Sequence, residues 1–437
     1  MKFLSTRGQA VPLDFSAALQ QGLAPDGGLY VPESWPKFEP EQFDSLNTLP
    51  AVARRLLQPF VADDLLESQL EGIVGEAFNF SAPVRWLDPP VAGRLGVLEL
   101  HHGPTAAFKD FGARFLAACF ARLRATQELP LNILVATSGD TGGAVAAAFH
   151  RRAHIEVTVL FPRGLVSPTQ ERQLTCWGDN VRSFAVDGTF DDCQRLVKAA
   201  FQDPLLSSRQ ALSSANSINL GRLLPQAVYY ASSSLEYWRE HGRALNYIIP
   251  SGNLGNAVAC IWARQLGLPV GEVILAHNAN RTVPDYLTSG EWRPRASVAT
   301  LASAMDVGHP SNMERLQWLF PAIESIRAQV TAISVDDQAI CQRIRRDHES
   351  MREVWCPHTA TAAEVWAGLE PRRRQQADWC LVATASPAKF PEIVEPLIGT
   401  PIELPSSLAE LLDRPTSVER LPAALDALRE RLLVGRV

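Results

Sequence analysis

One lysine stands between two phenylalanines in the stretch GPTAAFKDFG (103–112), although lysine is scarce in this chain. The sequence has five lysines among its 41 lysine and arginine residues, so Lys109 keeps an amine where a guanidinium is usual. Apolar neighbours and a helix start both disfavour the ammonium form and lower the pKa of an amine. Such a lysine acts as a nucleophile or forms a Schiff base, which arginine cannot do. The alternative is an ordinary lysine that reaches solvent from a helix start beside Asp110.

Two glycine-rich loops share one design. The stretches TSGDTGG (137–143) and SGNLGN (251–256) each follow a short apolar, β-branched run and precede a helical pattern. Such loops lie at the carboxyl edge of a parallel sheet, where backbone N–H groups and a helix N-terminus bind anions. Neither loop matches the dinucleotide fingerprint or the P-loop pattern. Each loop alone is equally well an ordinary strand-to-helix turn, but together they indicate two anion sites on one sheet edge.

A reactive lysine and two anion sites are what pyridoxal 5′-phosphate chemistry requires. One loop would hold the cofactor phosphate and the other the substrate carboxylate, while the lysine would bond the cofactor aldehyde and move protons. A competing interpretation is a non-catalytic module that binds a small anion or a nucleotide on a doubly wound sheet. That module has no use for Lys109.

The composition narrows the classes of protein further. The chain has 437 residues, of which 46% are hydrophobic and 20% charged, and a net charge of −6. The acidic balance argues against a nucleic-acid partner, and no uninterrupted apolar run is long enough to span a membrane. The seven cysteines are widely spaced and include no C-x-x-C pair, so we expect no disulfides and no metal site. The first residues lack the apolar run of a secretory signal, and we expect a cytoplasmic protein.

Strand and helix patterns alternate through the middle of the chain. Apolar, β-branched runs predict buried strands at 131–137, 155–162, 181–188, 244–250, 272–279 and 378–384. Because helical patterns separate most of these runs, the fold class is α/β with a parallel sheet. Ser167 and Thr189 are predicted helix N-caps. We also expect a long helix near 220–240, a solvated segment at 371–377 and an amphipathic closing helix at 421–433.

Eight stretches occur in an order that resembles the threonine synthase family. They are HHGPTAAFKDFGARF, ATSGDTGGAVAAAF, FAVDGTFDDCQ, NSINLGRLLPQ, PSGNLGNAVA, VATLASAMDVGHPSN, PHTA and ATASPAKF, and the N-terminal STRG and GLAPDGGLYVP resemble that family too. The resemblance runs from Ser5 to about Phe390. It implies a pyridoxal-phosphate enzyme of fold type II, similar to the tryptophan synthase β-subunit, with two lobes that each contain a mostly parallel sheet flanked by helices.

The resemblance also implies an activity and a domain organisation. The implied lyase converts O-phospho-L-homoserine and water to L-threonine and phosphate by β,γ-replacement, the last step of threonine biosynthesis. The expected domains are a segment at 1–109 that joins the large lobe, a small lobe at 110–235 with the carboxylate loop, and a large cofactor-binding lobe at 236–437. We expect a monomer or a homodimer.

Carried over position by position, the resemblance assigns roles to individual residues. Lys109 matches the Schiff-base lysine, Asp140 a side chain near the cofactor's 3′-oxygen, and Thr384 a hydroxyl that faces the pyridine nitrogen. The cofactor-phosphate loop matches Gly252, Asn253, Leu254, Gly255 and Asn256. The loop for the substrate carboxylate matches Thr137, Ser138, Gly139 and Thr141. Since a planar guanidinium suits the substrate phosphate, Arg222 is the candidate for that role, with Ser217 and Asn219 beside it.

Four positions depart from the family pattern. Ser386 stands where histidine is expected and Cys356 where aspartate is usual, while Arg281 and His309 replace an acidic or polar residue and an asparagine. The departures leave the lysine and both loops in place. His358 in PHTA is either functional or structural. Two related enzymes remain alternatives: a phospholyase that releases a keto acid and ammonia, and a serine/threonine dehydratase, which usually lacks the DGGLYVP segment.

Overall fold

The structure, a computed structural model, describes residues 1–88, 93–125 and 130–433. Within these ranges the strands are β1 Phe3–Ser5, β2 Tyr30–Pro32, β3 Val84–Leu87, β4 Leu95–Glu99, β5 Leu131–Ala136, β6 Ile155–Pro162, β7 Val181–Asp187, β8 Ala211–Ser214, β9 Leu245–Pro250, β10 Val270–His277, β11 Val330–Ser334, β12 Trp379–Ala383 and β13 Glu419–Pro422. The α-helices are α1 Phe15–Gln21, α2 Leu49–Val61, α3 Leu70–Ala77, α4 Lys109–Leu123, α5 Asp140–Phe149, α6 Pro168–Thr175, α7 Phe190–Gln202, α8 Pro204–Arg209, α9 Leu220–Leu223, α10 Ala227–His241, α11 Gly255–Gln265, α12 Thr282–Ser289, α13 Met313–Leu319, α14 Ile323–Arg327, α15 Asp337–Met351, α16 Pro357–Gly368, α17 Pro371–Gln376, α18 Pro391–Ile398, α19 Ser406–Leu412 and α20 Leu425–Leu433. Short 3₁₀ helices lie at Pro40–Phe43, Glu67–Gln69, Leu224–Gln226, Ser303–Met305 and Pro387–Lys389.

Two parallel sheets form the framework of the molecule. The six-stranded sheet has the order β11-β10-β9-β12-β4-β3, and only β3 runs antiparallel to its neighbour. The five-stranded sheet has the order β13-β7-β6-β5-β8 and is parallel throughout. The α/β fold class with two mostly parallel sheets is therefore confirmed. No helix in the described ranges is long and apolar enough to cross a membrane.

The strands are apolar along both faces because each sheet separates two cores. In β5, Ile133 and Val135 belong to the largest core, which runs through both lobes. Leu134 and Ala136 point to the opposite face and join a smaller core with residues of α7 and α20. Strands buried on both faces read as continuous apolar runs, so their positions were predictable from the sequence.

Both predicted N-caps are confirmed. Ser167 Oγ accepts a hydrogen bond from the backbone N–H of Gln170 at 3.2 Å at the start of α6. Thr189 Oγ1 accepts one from the N–H of Asp192 at 3.3 Å at the start of α7. The helix predicted to begin at Lys109 is α4. The two caps and the start of α4 mark the residues at which the preceding loops end and the helices begin.

Two helix predictions are wrong in part. The long helix expected near 220–240 is divided into α9, a 3₁₀ turn and α10, because Pro225 lacks the N–H that a continuous helix requires. The closing helix expected at 421–433 begins only at Leu425, since the residues before it form β13 and pair with β7. The segment 371–377 is the surface helix α17 over most of its length.

The expected domain boundaries also differ from the observed packing. Strand β13, which the sequence placed in the large lobe at 236–437, is the edge strand of the five-stranded sheet, and α20 packs on α7. Helix α10, most of which falls in the expected small lobe at 110–235, packs on α2 and α11. The chain therefore returns to the small lobe after it has built the large one. The expected end of the third domain, residues 434–437, lies outside the described residues.

Candidate active site

A cavity of about 330 Å³ is bordered by the loops that follow β5 and β9 and by the residue after β12. The carboxyl ends of parallel strands are the usual place for a ligand in such folds. All predicted site residues except Gly139 and Asn219 line this cavity, namely Lys109, Thr137, Ser138, Asp140, Thr141, Ser217, Arg222, Gly252, Asn253, Leu254, Gly255, Asn256 and Thr384. The fold thus brings together residues that lie far apart in the sequence.

Lys109 begins α4, and its amine faces the cavity. The Phe108 N–H donates to the carbonyl of Thr384 at 2.9 Å, which fixes the turn before Lys109 against the residue that follows β12. Nζ lies 4.4 Å from the centroid of the Phe108 ring and meets no hydrogen-bond acceptor among the described residues. Burial, with a smaller effect from the Arg222 guanidinium, lowers the pKa of Lys109 to about 8, and the carboxylate of Asp140 opposes this only in part. The amine is therefore available as a nucleophile near neutral pH.

A second buried lysine, which the sequence did not single out as a site residue, lies beside the first loop. Lys389 Nζ is 2.8 Å from Asp140 Oδ1 and also donates to the carbonyl of Thr105 at 2.8 Å. Gln170 Nε2 donates to the same carboxylate at 3.2 Å. Burial is the largest single influence and would raise the pKa of Asp140, but the Lys389 ammonium, the His358 ring and the Gln170 amide together outweigh it, and the pKa is lowered. Asp140 therefore places a negative charge at the cavity wall.

The loop after β5 is held by its own side chain. Thr137 Oγ1 accepts hydrogen bonds from the N–H groups of Gly139 at 3.0 Å and Gly142 at 2.9 Å. Gly139 has a φ of +143°, and a Cβ there would lie 2.5 Å from the side chain of Gln170. Only glycine fits this position, so Gly139 shapes the loop although it does not line the cavity. Ser138 and Thr141 line the cavity from this braced turn.

The loop after β9 is pinned by contacts to two other segments. Asn253 Nδ2 donates to Ser217 Oγ at 2.6 Å, and its Oδ1 accepts from the Ser311 N–H at 2.5 Å. A Cβ at Gly252 would lie 2.8 Å from the Cα of Met305, so the two backbones touch. Leu254 follows in the left-handed conformation, with a φ of +63°, immediately before α11. This strained conformation directs the N-terminus of α11 towards the cavity, and a helix N-terminus favours a bound anion.

Three buried nitrogen atoms of cavity-lining residues have no hydrogen-bond partner among the described residues. They are Arg222 Nε, Asn256 Nδ2 and His358 Nδ1. Asn256 Oδ1 accepts from the hydroxyl groups of Tyr229 at 2.5 Å and Tyr230 at 2.8 Å, which leaves its amide nitrogen as a donor. Burial lowers the pKa of Arg222 to about 10. Three such donors at one cavity suit a ligand that is rich in acceptor oxygens.

These residues fit pyridoxal phosphate. The unpaired amine of Lys109 suits the aldehyde, and the second loop with its free Asn256 donor suits the phosphate. The hydroxyl of Thr384 lines the cavity directly after β12, where the sequence places the partner of the pyridine nitrogen. The evidence that these residues fit the cofactor is therefore the set of free donors and the shape of the backbone, and both are features of this chain itself.

Asn219 was predicted to lie beside Arg222 at the substrate phosphate, but its side chain is used within the protein. Its side chain caps α9 by accepting from the Gly221 N–H at 2.9 Å. Its Nδ2 donates to the carbonyls of Leu19 at 2.9 Å and Ser214 at 3.0 Å. Every polar atom of the amide is thus used inside the protein, and Asn219 does not line the cavity. An asparagine directly before a short helix is itself a sequence signal for an N-cap.

Further charged residues line the cavity without having been predicted. They are Lys198 of α7, together with Asp191, Arg295 and Asp306. Of the four departures from the family pattern, only His309 reaches this cavity. Cys356 and Ser386 instead cap the helices that begin beside them, and Arg281 forms an exposed ion pair with Asp285. Scarcity of lysine was the signal that could have identified Lys198 and Lys389.

Three stretches of the chain match family descriptions. Residues 91–385 match the family described as pyridoxal-phosphate dependent enzyme. Residues 2–78 match the threonine synthase N terminus, and residues 359–431 match the threonine synthase C-terminal family. The first match contains both loops and Lys109.

Relatives of known name and solved structures agree with these matches. Threonine synthase from Escherichia coli (strain K12) is 39% identical over 435 residues, with 99% of each chain covered, and that of Serratia marcescens is 40% identical with the same coverage. The crystal structure of the Escherichia coli enzyme has a TM-score of 0.90 and covers 99% of both chains. The pyridoxal-phosphate-bound threonine synthase from Brucella melitensis has a TM-score of 0.89 at 34% identity and covers 99% of this chain and 98% of its own.

The expected fold type, the cofactor and the family resemblance thus agree along the whole described chain. Because the similarity spans nearly the full length at 39–40% identity, this chain belongs to the threonine synthase family of pyridoxal-phosphate-dependent enzymes.

Proposed function

We propose that this chain converts O-phospho-L-homoserine and water to L-threonine and phosphate with pyridoxal phosphate as cofactor. The observation that carries this proposal is a single cavity in which an unpaired lysine with a pKa near 8 meets three partnerless donors. When bound, the cofactor supplies an electron sink for negative charge on the substrate's carbon atoms. The residues of this chain bind the reactants, exclude water and move protons.

The second loop would hold the cofactor. Gly252, Asn253, Leu254, Gly255 and Asn256 offer backbone N–H groups, the N-terminus of α11 and the free amide nitrogen of Asn256 to its phosphate. The hydroxyl of Thr384 would face the pyridine nitrogen. Because a hydroxyl does not enforce a protonated ring as a carboxylate does, this partner suits elimination and replacement better than transamination.

The first loop and Arg222 would hold the substrate. Ser138 and Thr141 line the cavity from the loop braced by Thr137 and suit a carboxylate, which accepts hydrogen bonds from hydroxyl and N–H groups. Arg222 has a free Nε–H for the substrate phosphate, and its Nη1 donates to the Ala215 carbonyl, which fixes the guanidinium.

Lys109 would transfer the protons at Cα, Cβ and Cγ of the substrate. A pKa of about 8 allows the amine to accept a proton in one step and to return it in the next, because neither form is strongly favoured near neutral pH. Water must enter only to add at Cβ, and the burial of Asp140 and Arg222 at the cavity wall limits the access of bulk solvent to the reacting atoms.

The nearest alternative is a phospholyase that shares the cofactor residues but releases 2-oxobutyrate and ammonia. Product analysis separates the two functions. Purified protein incubated with O-phospho-L-homoserine should release threonine and phosphate in equal amounts, and the Lys109→Ala variant should release neither. If 2-oxobutyrate is the main product, the proposed function is wrong.

The remaining expectations about the protein's setting are proposals as well. We propose a cytoplasmic enzyme that binds only small molecules and no nucleic acid, in keeping with its net charge of −6. A monomer or a homodimer is expected, and sedimentation of the holoenzyme at micromolar concentration tests this.

A further inference from the structure

The imidazole of His358 is one of the three partnerless donors at the cavity, and the proposed function assigns it no acceptor. His358 is the second residue of α16, whose start is capped by Cys356 Sγ, the acceptor for the Thr359 N–H at 3.4 Å. The side chain is 2% exposed, lines the cavity and packs on Phe390 with the ring centroids 5.0 Å apart. Helix geometry and packing therefore fix the direction in which the ring points.

The hydrogen bond at one ring nitrogen determines where the proton of His358 resides. Nε2 accepts from the backbone N–H of Ala304 at 3.1 Å. A nitrogen that accepts carries no proton, so the neutral ring bears its proton on Nδ1. Burial lowers the pKa of His358 to about 4, and the opposing effect of Asp140 is smaller, so the ring is neutral at physiological pH. His358 thus presents a neutral N–H donor at Nδ1.

This donor has no acceptor within the described part of the chain. Nδ1 of His358 is buried, yet it has no hydrogen-bond partner there. A buried donor without an acceptor is unfavourable, which makes a bound ligand the natural partner. The charged groups that act on the ring are those of Asp140, Lys109 and Lys389. His358, Lys109 and Asp140 line the same cavity, so a ligand held by Lys109 can meet the Nδ1–H.

We propose that the Nδ1–H of His358 donates a hydrogen bond to the phenolic oxygen on the pyridine ring of bound pyridoxal phosphate. This assignment rests on the proposed function, and it makes His358 a cofactor-binding residue. The phenolic oxygen is attached to the ring carbon next to the one that bears the aldehyde, so a cofactor bonded to Lys109 carries it near that amine. An ionised Asp140 repels an anionic oxygen there, and the ammonium of Lys389 is already shared between Asp140 and Thr105. A neutral N–H donor stabilises that oxygen without adding a charge.

A purely structural histidine would use only Nε2, which holds the Ala304 segment. Two replacements separate the roles, because asparagine places a polar atom near the position of Nδ1 and glutamine places one near Nε2. The variant His358→Asn keeps a donor towards the cavity and loses the contact to Ala304. The variant His358→Gln keeps the contact to Ala304 and loses the donor.

The test measures binding of pyridoxal phosphate to the apoprotein of both variants and the pH titration of the visible absorption band. We expect His358→Asn to bind the cofactor within about threefold of the unmodified protein and His358→Gln to bind it about ten- to a hundredfold more weakly. The band of His358→Gln should titrate at a higher pH, because loss of a donor raises the pKa of the phenolic oxygen. The reverse order of the two variants, or equal binding by both, overturns the proposal.

Nitrogen NMR of the unmodified protein keeps the proposal falsifiable if a variant folds poorly. With ¹⁵N-labelled histidine, addition of pyridoxal phosphate should shift the Nδ1 resonance of His358 and leave its Nε2 resonance nearly unchanged. An unchanged Nδ1 resonance overturns the proposal. The product analysis is an independent readout, since 2-oxobutyrate from the unmodified enzyme would refute the proposed function and leave the order of the two variants unaffected.

Discussion

Two lysines lie in the same buried region, and their surroundings differ in one respect. Lys389 Nζ is 2.8 Å from a carboxylate oxygen of Asp140 and 2.8 Å from the carbonyl of Thr105. Lys109 Nζ lies against the ring of Phe108 and has no hydrogen-bond or ion-pair partner among the described residues. The paired amine is part of the framework, whereas the unpaired amine loses its proton near pH 8 and can react. Burial alone does not make a lysine reactive; burial without a partner does.

The same difference separates two asparagines. Asn219 uses its whole amide on α9, Leu19 and Ser214, and it does not line the cavity. Asn256 has its oxygen bound by two tyrosine hydroxyls, so its nitrogen remains free at the cavity. Of these two asparagines, the one with complete partners belongs to the scaffold, and the one with a donor left over lies where a ligand is expected.

Replacement of Lys109 by alanine should have the largest effect on turnover. We expect the rate of threonine formation to fall by at least about 10⁴-fold, because the base and the attachment point are lost together. The apoprotein should lose no stability at neutral pH, since no hydrogen bond or ion pair is removed. Product assays and urea unfolding measure both, with Lys2→Ala as the exposed control. Residual turnover above a few per cent would show that the unpaired amine is dispensable.

Replacement of Lys389 by methionine should act mainly on stability, in contrast to replacement of Lys109, which should act mainly on turnover. It leaves the carboxylate of Asp140 without its cation in a dry site, and we expect the free energy of unfolding of the apoprotein to fall by about 3–5 kcal/mol. The double variant Lys389→Met with Asp140→Asn should recover most of this loss, because neither charge remains. Urea unfolding of the single and double variants gives the comparison. A loss below about 1 kcal/mol in the single variant would mean that the pair does not support the fold.

Cofactor capture by the apoprotein should depend on pH through Lys109. Only the neutral amine attacks an aldehyde, so the rate should rise about tenfold between pH 7 and pH 9 and then level off. Stability should change in the same direction: the unfolded chain keeps its proton up to the ordinary value of 10.5, so the Lys109 contribution to apoprotein stability rises between pH 8 and that value. Stopped-flow absorbance measures the rate. A rate that still climbs steeply above pH 10 would contradict the lowered pKa.

Replacement of either asparagine by alanine should have the smallest effects, and the two variants should differ in whether stability or cofactor affinity changes. Asn219→Ala should lower the free energy of unfolding by about 1 kcal/mol through loss of the cap and leave the affinity for pyridoxal phosphate unchanged. Asn256→Ala should weaken that affinity by about tenfold. Fluorescence titration and thermal melts of both variants provide the data. Weaker cofactor binding in Asn219→Ala would remove the distinction drawn between these amides.

The strands and the two loops were predictable because their signals are local. Strand β6 occupies the predicted range, and α4 begins at the predicted Lys109. A continuous apolar run followed by glycine and a helical pattern is decided by a few neighbouring residues. The loop residues of the site follow from the same signals, since each loop sits at the end of a strand.

What the sequence did not reveal depends on partners far along the chain. Whether Lys389 or Lys109 is paired depends on where the Asp140 carboxylate lies in three dimensions, and no spacing in the sequence states this. Strand β13 has no alternating pattern of its own and is a strand because the edge of β7 is available to it. The role of Asn219 was misassigned because its motif suggested a ligand, while its position before α9 already indicated a cap.

The return of the chain to the five-stranded sheet also determines when that sheet can be completed during synthesis. Arg420 in β13 bonds to Asp187 in β7 across a sequence separation of 233 residues. Until the ribosome has released the last strand, the edge of β7 presents unpaired backbone groups, which are open to association with other chains. The small lobe, although most of it is translated first, is therefore among the last parts of the molecule to close, and shielding of one strand edge becomes a requirement of biogenesis.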